Sequence, residues 1–247
     1  MTTAGAQRRR FFVAAEAFDQ DPIVFAPREA HHIARVLRLE AGAPLIVFDG
    51  RREVDAELER VDGATVIARR TGAPRLTGRP ASIALLQGVS RGPKMDLIVR
   101  MGTELGLAAI HPVLTSRSVA GLGPARTDRW RRIAEQAARQ SGRGDLPVVN
   151  AALPLDGALA ALGPVDLLVV PWERETTPVG EVIAGCAFAT AAVLIGPEGG
   201  LTDGEIAVAR GAGGLTVSLG PLILRTETAG IVTAAMLLYE RLLRPRS

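Results

Sequence analysis

Residues 193–200 read Val-Leu-Ile-Gly-Pro-Glu-Gly-Gly, and residues 219–230 read Leu-Gly-Pro-Leu-Ile-Leu-Arg-Thr-Glu-Thr-Ala-Gly. Each glycine turn follows a short apolar run and precedes a helical pattern. The order is strand, turn, helix, strand, turn, helix. Both turns then fall at strand carboxyl ends, the edge where an open α/β sheet binds its ligands. Their closeness in sequence predicts one small-molecule pocket built from both.

Gly196, Gly199 and Gly200 permit positive φ and close approach of backbone to a ligand. Thr202 and Glu205 have capping-box spacing, so a helix is expected to start there. Glu198 places a carboxylate inside the turn, where it would repel phosphate. There is no Walker sequence, and Gly121-Leu122-Gly123 fails as a dinucleotide fingerprint because Arg126 stands at the third glycine position. The turn suits a ligand without phosphate, in particular a cationic one. The plainer alternative is a pair of tight connections needing glycine for geometry alone, which explains one turn better than two. Glu227 opens the final helix, where a carboxylate complements the dipole. It therefore reads either as a cap or as a polar group facing substrate, beside Arg225 and Thr226.

Outward from these turns, residues 82–243 alternate short apolar runs with helical patterns. Strands are expected at 82–87, 108–114, 147–150, 165–170, 191–195 and 215–219. Helices are expected at 93–105, 127–141, 154–161, 178–184, 202–212 and 226–243. Such alternation predicts a mostly parallel sheet covered by helices. On the last helix Val232, Ala235, Met236, Tyr239, Leu242 and Leu243 form one apolar face at helical spacing. The first part of the chain differs. Strands are expected at 10–14, at Pro44–Phe48 ending in an Asp49-Gly50 hairpin, through the alternating Val54, Ala56 and Leu58, and at Thr65–Ala68, with one helix over 28–39. This is a small, mostly antiparallel β unit read as a barrel. The Gly-, Pro- and Thr-rich residues 71–80 mark a linker, which gives domains 1–73 and 74–247.

Composition narrows the class. Of 247 residues, 47% are hydrophobic, enough for a sizeable core. No apolar run reaches the length of a membrane span, and residues 1–10 lack a signal-type apolar stretch. Cys186 is the only cysteine, which excludes an intrachain disulfide and a cysteine-rich metal site. A cytoplasmic protein is the expectation. Residues 76–150 hold 11 basic and 5 acidic groups, a footprint suited to a polyanion or to a solvated face.

At these residues the sequence resembles the RsmE-type 16S rRNA methyltransferases of the SPOUT superfamily. The resemblance spans nearly the whole chain. It rests on His31-His32-Ile33-Ala34-Arg35-Val36-Leu37-Arg38, on Lys94-Met95-Asp96 with Thr103-Glu104-Leu105-Gly106 and the Pro112 strand, on Gln140-Ser141-Gly142-Arg143, and above all on the two glycine turns. Two positions depart from the family pattern: Arg139 replaces an acidic residue, and Leu222 an arginine. The resemblance implies an α/β, SPOUT-type knotted parallel-sheet methyltransferase domain preceded by a small PUA-like β-barrel domain. It implies transfer of a methyl group from S-adenosylmethionine to N3 of a uridine in small-subunit 16S rRNA, a trefoil knot, a homodimer, and no metal.

Cofactor contacts are expected from Gly196, Glu198, Gly199, Gly200, Leu219, Gly220 and Leu224. Methyl transfer from a sulfonium is chiefly a positioning task, but uridine N3 must also lose its proton. Arg143 and Arg225 are candidates to stabilise the deprotonated uridine oxygens, since guanidinium stays charged. Glu227 is a candidate base or orienter. His111 precedes Pro112 and reads as structural, and adjacent His31 and His32 are poorly spaced for metal. Arg8, Arg9, Arg10, Arg35, Arg38, Lys94 and Arg117 are candidates for RNA contact, mainly to phosphates. Two other readings remain: a methyltransferase of the same fold acting on ribose or another base, and an RNA-binding assembly factor without catalysis.

Overall fold

The computed structural model describes residues 9–62, 65–76, 82–118 and 123–243. Arg8, part of the 71–80 linker, Gly121 and Leu122 lie outside them, as do the side chains of Leu242 and Leu243. The chain divides into two compact units. The first is Met1–Gly78 together with Ala138–Leu146, and the second is Arg79–Ala137 with Pro147–Ser247. The expected division at residue 73 thus falls at Gly78, inside the linker stretch. The later segment that joins the first unit was not expected.

The first unit contains β1 (Arg9–Phe12), α1 (Ala15–Phe18), β2 (Ile23–Val24), α2 (Pro27–His31), β3 (Pro44–Phe48), β4 (Arg52–Asp62), β5 (Thr65–Arg70) and β6 (Arg75–Leu76). The strand path is β1-β3-β4-β5-β2, with β6 on β4; β1 and β3 are parallel and the remaining pairs antiparallel. The eleven-residue β4 serves three partners, β3, β5 and β6, with its register on β5 shifted between Leu58 and Arg60. Its inward Val54, Ala56 and Leu58 join Phe11, Phe18, Ile23 and Ile33 in one core. The Asp49-Gly50 hairpin forms as expected: the Asp49 carboxylate accepts from the amides of Arg51 and Arg52 at 2.9 and 2.6 Å. The helix expected over 28–39 is shorter. After His31 the backbone widens into a π-turn over His32–Val36, and Arg38 takes φ +50°. Arg35 and Arg38 are exposed but do not share a regular helix face.

The second unit holds β7 (Ser82–Gly88), α3 (Lys94–Leu105), β8 (Ala109–Leu114), α4 (Pro124–Gln140), β9 (Val148–Val149), β10 (Leu153–Pro154), α5 (Leu155–Leu162), β11 (Leu167–Pro171), α6 (Val179–Ala184), β12 (Thr190–Ile195), α7 (Asp203–Gly211), β13 (Gly214–Val217) and α8 (Thr226–Leu238). The last turn of α4 passes into the first unit. Every described strand pair is parallel, in the order β10-β8-β7-β12-β11-β13, with β9 also on β8. Strands covered on both faces read as continuous apolar runs. Along β12, Ala191, Val193 and Ile195 face a core completed by α3, α4, α6 and α8, whereas Ala192 and Leu194 face one completed by α5 and α7. On α3, Met95, Ile98, Val99 and Gly102 recur on one face, and each large side chain buried there contributes about 1.5–3 kcal/mol. Gly106, at φ +103°, ends that helix in the left-handed conformation that glycine adopts cheaply.

The buried face of α8 differs from the one its apolar residues suggest. Thr226, Ala229, Gly230, Thr233, Ala234 and Leu237 point inward, while Met236 and Tyr239 are exposed. Small residues are needed inside because the helix lies against the sheet. A Cβ on Gly230 would meet Leu85 Cδ1 at 3.1 Å and Gln87 Oε1 at 3.2 Å.

Candidate active site

β12, β11 and β13 are adjacent and parallel, so their carboxyl ends open on one side. There the two glycine turns and residues 171–173 enclose a cavity of about 510 Å³. Gly196, Glu198, Gly199, Gly200, Leu219, Gly220 and Leu224 all line it, as do Lys94, Arg225 and Thr226. Volume and apolar lining match those of small-molecule sites. The second turn keeps its backbone open: among the described residues, the amides of Leu222, Ile223 and Leu224 donate no intramolecular hydrogen bond.

The first turn is closely built. A Cβ on Gly196 would lie 2.7 Å from the Gly200 carbonyl carbon, and Gly200 itself has φ +71°. The Thr202–Glu205 capping box forms, with Thr202 N to Glu205 Oε2 at 2.8 Å, and Glu205 Oε1 also accepts from the Ser116 amide at 2.8 Å. Arg117 donates to the Gly199 carbonyl and its stem packs on Gly199. Arg117, expected to contact RNA, is exposed and touches the glycine turn.

Thr226 ties the two turns to β7. Its hydroxyl accepts from Gln87 Nε2 at 2.8 Å and donates to the Gly196 carbonyl at 2.6 Å. Gln87 is fully buried, and without that hydroxyl its Nε2 keeps only the Gly88 carbonyl, at 3.2 Å. Thr226→Val is expected to lose about 1–3 kcal/mol of stability, the usual cost of stranded buried polar groups. Urea unfolding of that variant beside Thr226→Ser measures it; equal midpoints for wild type and valine variant would remove the bridge from the account.

Charged groups gather at the pocket and behind its lining, which includes Lys94, Glu198 and Arg225 but not Glu227. Lys94 Nζ lies 2.9 Å from Glu198 Oε1 and 3.7 Å from Glu227 Oε2. Burial pushes the Glu198 carboxyl up. The Lys94 bond and the Glu198 and Arg91 amides outweigh this and hold it below its ordinary range. Glu227 is inset, its side chain 13% exposed, with Arg225 Nη1 4.0 Å away. Its Oε2 has no hydrogen-bond partner. Arg225 is 83% exposed. Lys94, expected to contact RNA, is paired here with the two glutamates, a pairing that sequence spacing could not reveal.

Glu175 anchors the neighbouring wall segment. Its carboxylate accepts from Thr216 Oγ1 at 2.6 Å and from the Thr176 amide at 2.9 Å, which pulls its pKa down to about 2. Arg210 bonds Thr216 at 2.7 Å and lies over Trp172, a residue lining the pocket. The native carboxyl binds its proton less readily than the unfolded one. Its stabilisation is therefore present above the ordinary value of 4.5 and is lost as pH falls from there towards 2. Thr216→Val should reduce the steepness of acid destabilisation in that window, followed as melting temperature against pH.

Other expected site residues lie elsewhere. Arg143 belongs to the first unit, and its fork is held by both oxygens of Asp145 at 2.8 and 2.9 Å. Arg10 is paired with Glu53 and partly buried, so it is not a free surface cation; Arg9 is exposed. His111 is buried, with Asn150 Nδ2 3.2 Å from its Nδ1, and burial lowers its pKa. That arrangement agrees with its structural reading.

A glycine-built cavity thus opens at the carboxyl edge of a parallel sheet, the edge where such sheets bind ligands. A family model described as an RNA methyltransferase domain matches residues 77–238, and one described as an RNA methyltransferase PUA domain matches residues 25–69. The chain is 34% identical over 228 residues to ribosomal RNA small subunit methyltransferase E of Bacillus subtilis, covering 86% of this chain and 88% of that one. The corresponding protein of Mycobacterium tuberculosis is 31% identical, with 83% and 81% covered. A crystal structure of ribosomal RNA small subunit methyltransferase E from Neisseria gonorrhoeae, bound to S-adenosyl methionine, matches with a TM-score of 0.82 at 29% identity, covering 94% of this chain and 97% of that one. This chain belongs to the ribosomal RNA small subunit methyltransferase E family.

Proposed function

We propose that this protein methylates N3 of a uridine in 16S rRNA, with S-adenosylmethionine held between the two glycine turns. The observation that carries this reading is the pocket itself: apolar walls, unengaged amides at Leu222–Leu224, and carboxylates where a phosphate ligand would need cations. Those features fit a cationic ligand with an adenosine and an amino-acid end. When bound, S-adenosylmethionine supplies a methyl group already activated on a sulfonium. Gly196, Gly199, Gly200, Leu219, Gly220 and Leu224 position it by close backbone approach, and Glu198 adds negative charge. Glu227, inset and incompletely bonded, accepts the N3 proton. Arg225 donates to the uracil oxygens as charge builds there. Lys94 orients both glutamates.

The RNA partner is the small ribosomal subunit, assembled or assembling, and the setting is the cytoplasm. No helix among the described residues is long and apolar enough to cross a membrane. The outward Met236 and Tyr239 of α8, with Leu222 and Ile223 on the second turn, offer an apolar face for a homodimer. The resemblance to the SPOUT superfamily supports a trefoil knot in the C-terminal region.

The test is methyl transfer from labelled S-adenosylmethionine to small subunits from cells lacking the protein. Nucleoside mass spectrometry should show 3-methyluridine. Label on ribose or another base would overturn the specificity, and no label would sink the assignment.

A further inference from the structure

A second cleft, of about 270 Å³, lies wholly within the first unit, among Arg9 and Arg10 of β1, His32, and Arg139 and Gln140 at the end of α4. It uses Gln140 and Gly142 of the Gln140–Arg143 motif and the unusual Arg139, which the methyl-transfer pocket leaves unexplained.

Two of its three arginines are fixed in advance. Arg10 is paired with Glu53 and lies 5.5 Å from the Phe48 ring centre. Arg139 Nη1 is 2.9 Å from Glu29 Oε1, both largely buried. Arg9 makes no ion pair among the described residues. Arg75 shares Glu53 and also pairs with Asp55, so four guanidiniums against three carboxylates leave one positive charge, the complement of a single phosphodiester. The Nε–H groups of Arg10 and Arg139 are moreover buried without an acceptor. Closed to water, these two donors are closed to a ligand in the cleft as well, so both guanidiniums act there through their charge.

The remaining groups suit a base. His32 is exposed and held edge-on to Phe11, with centroids 6.5 Å apart at 63°. Stacking on such rings is a sequence-tolerant way to hold an unpaired base. The exposed Gln140 carboxamide offers both a donor and an acceptor to a base edge.

We propose that this cleft holds one nucleotide of single-stranded RNA: its phosphate at Arg9, flanked by Arg10 and Arg139, its base against His32, and its edge read by Gln140. This rests on the RNA-methyltransferase reading for the identity of the polymer. A phosphate-only ligand would use the arginines but not Gln140.

Fluorescence anisotropy with a labelled oligouridine and the full chain tests it. Arg9→Ala should weaken binding and lower the slope of log affinity against log salt by about 0.7, the share of one phosphate on a single strand. Gln140→Ala should weaken binding about 3- to 10-fold with the slope unchanged. Both side chains are exposed, so melting temperature and S-adenosylmethionine affinity should stay at wild-type values. The proposal is overturned if the wild-type chain does not bind oligouridine, or if both variants bind as it does. Loss in Arg9→Ala alone would also overturn it, in favour of a plain phosphate contact. Failure of wild-type protein to methylate small subunits would sink the enzyme reading separately, because the binding arms do not depend on turnover.

Discussion

Gly196→Val should bind S-adenosylmethionine at least roughly 100-fold more weakly than wild type and lose methyl transfer with it. The nearest obstacles to a new Cβ are the Gly200 carbonyl carbon at 2.7 Å and the Leu201 nitrogen at 2.9 Å, both backbone. Neither can yield without opening the turn that lines the pocket. Overpacking by even a methyl commonly costs about 1–3 kcal/mol, and valine adds two more carbons. Gly199 offers an informative contrast. A Cβ there meets Arg117 Cδ at 3.0 Å, a side chain that can swing aside. Gly199→Ala should therefore cost less than Gly196→Ala. Equilibrium dialysis with labelled cofactor ranks the variants. Wild-type affinity in Gly196→Val would mean that the turn does not form the site.

Glu227→Gln addresses the chemistry with little change of shape. If Glu227 takes the N3 proton, the single-turnover rate should fall about 10²–10⁴-fold while cofactor affinity holds. Raising the pH removes the N3 proton without help, so the gap between variant and wild type should narrow in alkali. A merely structural glutamate would give no such convergence. Its loss would act through Lys94, which lies between Glu198 and Glu227, and would show as weaker cofactor binding at every pH. The two outcomes separate a proton acceptor from a strut.

The sheet was legible because its strands are buried on both faces and its helices carry clear stop signals. The expected helix over 93–105 ends at Gly106, and the 202–212 helix begins at its Thr202–Glu205 box. Both glycine turns could be placed at strand ends before any geometry was known, and they do enclose one cavity. Short strands such as β2, β6 and β10 escaped, since two residues carry no periodicity. The inward face of α8 escaped for a different reason. Its alanines, glycine and threonines are chosen for close approach, so the stronger apolar signal came from the outward side. Charge pairing was the least legible layer. Lys94 with Glu198, and Arg139 with Glu29, join residues about a hundred positions apart. Nothing local distinguishes such a cation from one awaiting a phosphate.

The first unit is not a continuous stretch of chain. It ends at Gly78 and is completed by Ala138–Leu146, which brings Arg139 to Glu29 and the Leu146 amide to the Gly50 carbonyl. Shuffling at the linker would leave Glu29 with a buried, uncompensated carboxylate, since its partner would stay behind with the other fragment. Recombination between relatives is thereby constrained: a transplanted N-terminal module must bring its own residues 138–146. Each unit packs around a core of its own, yet the first cannot be cut from the chain as a single segment.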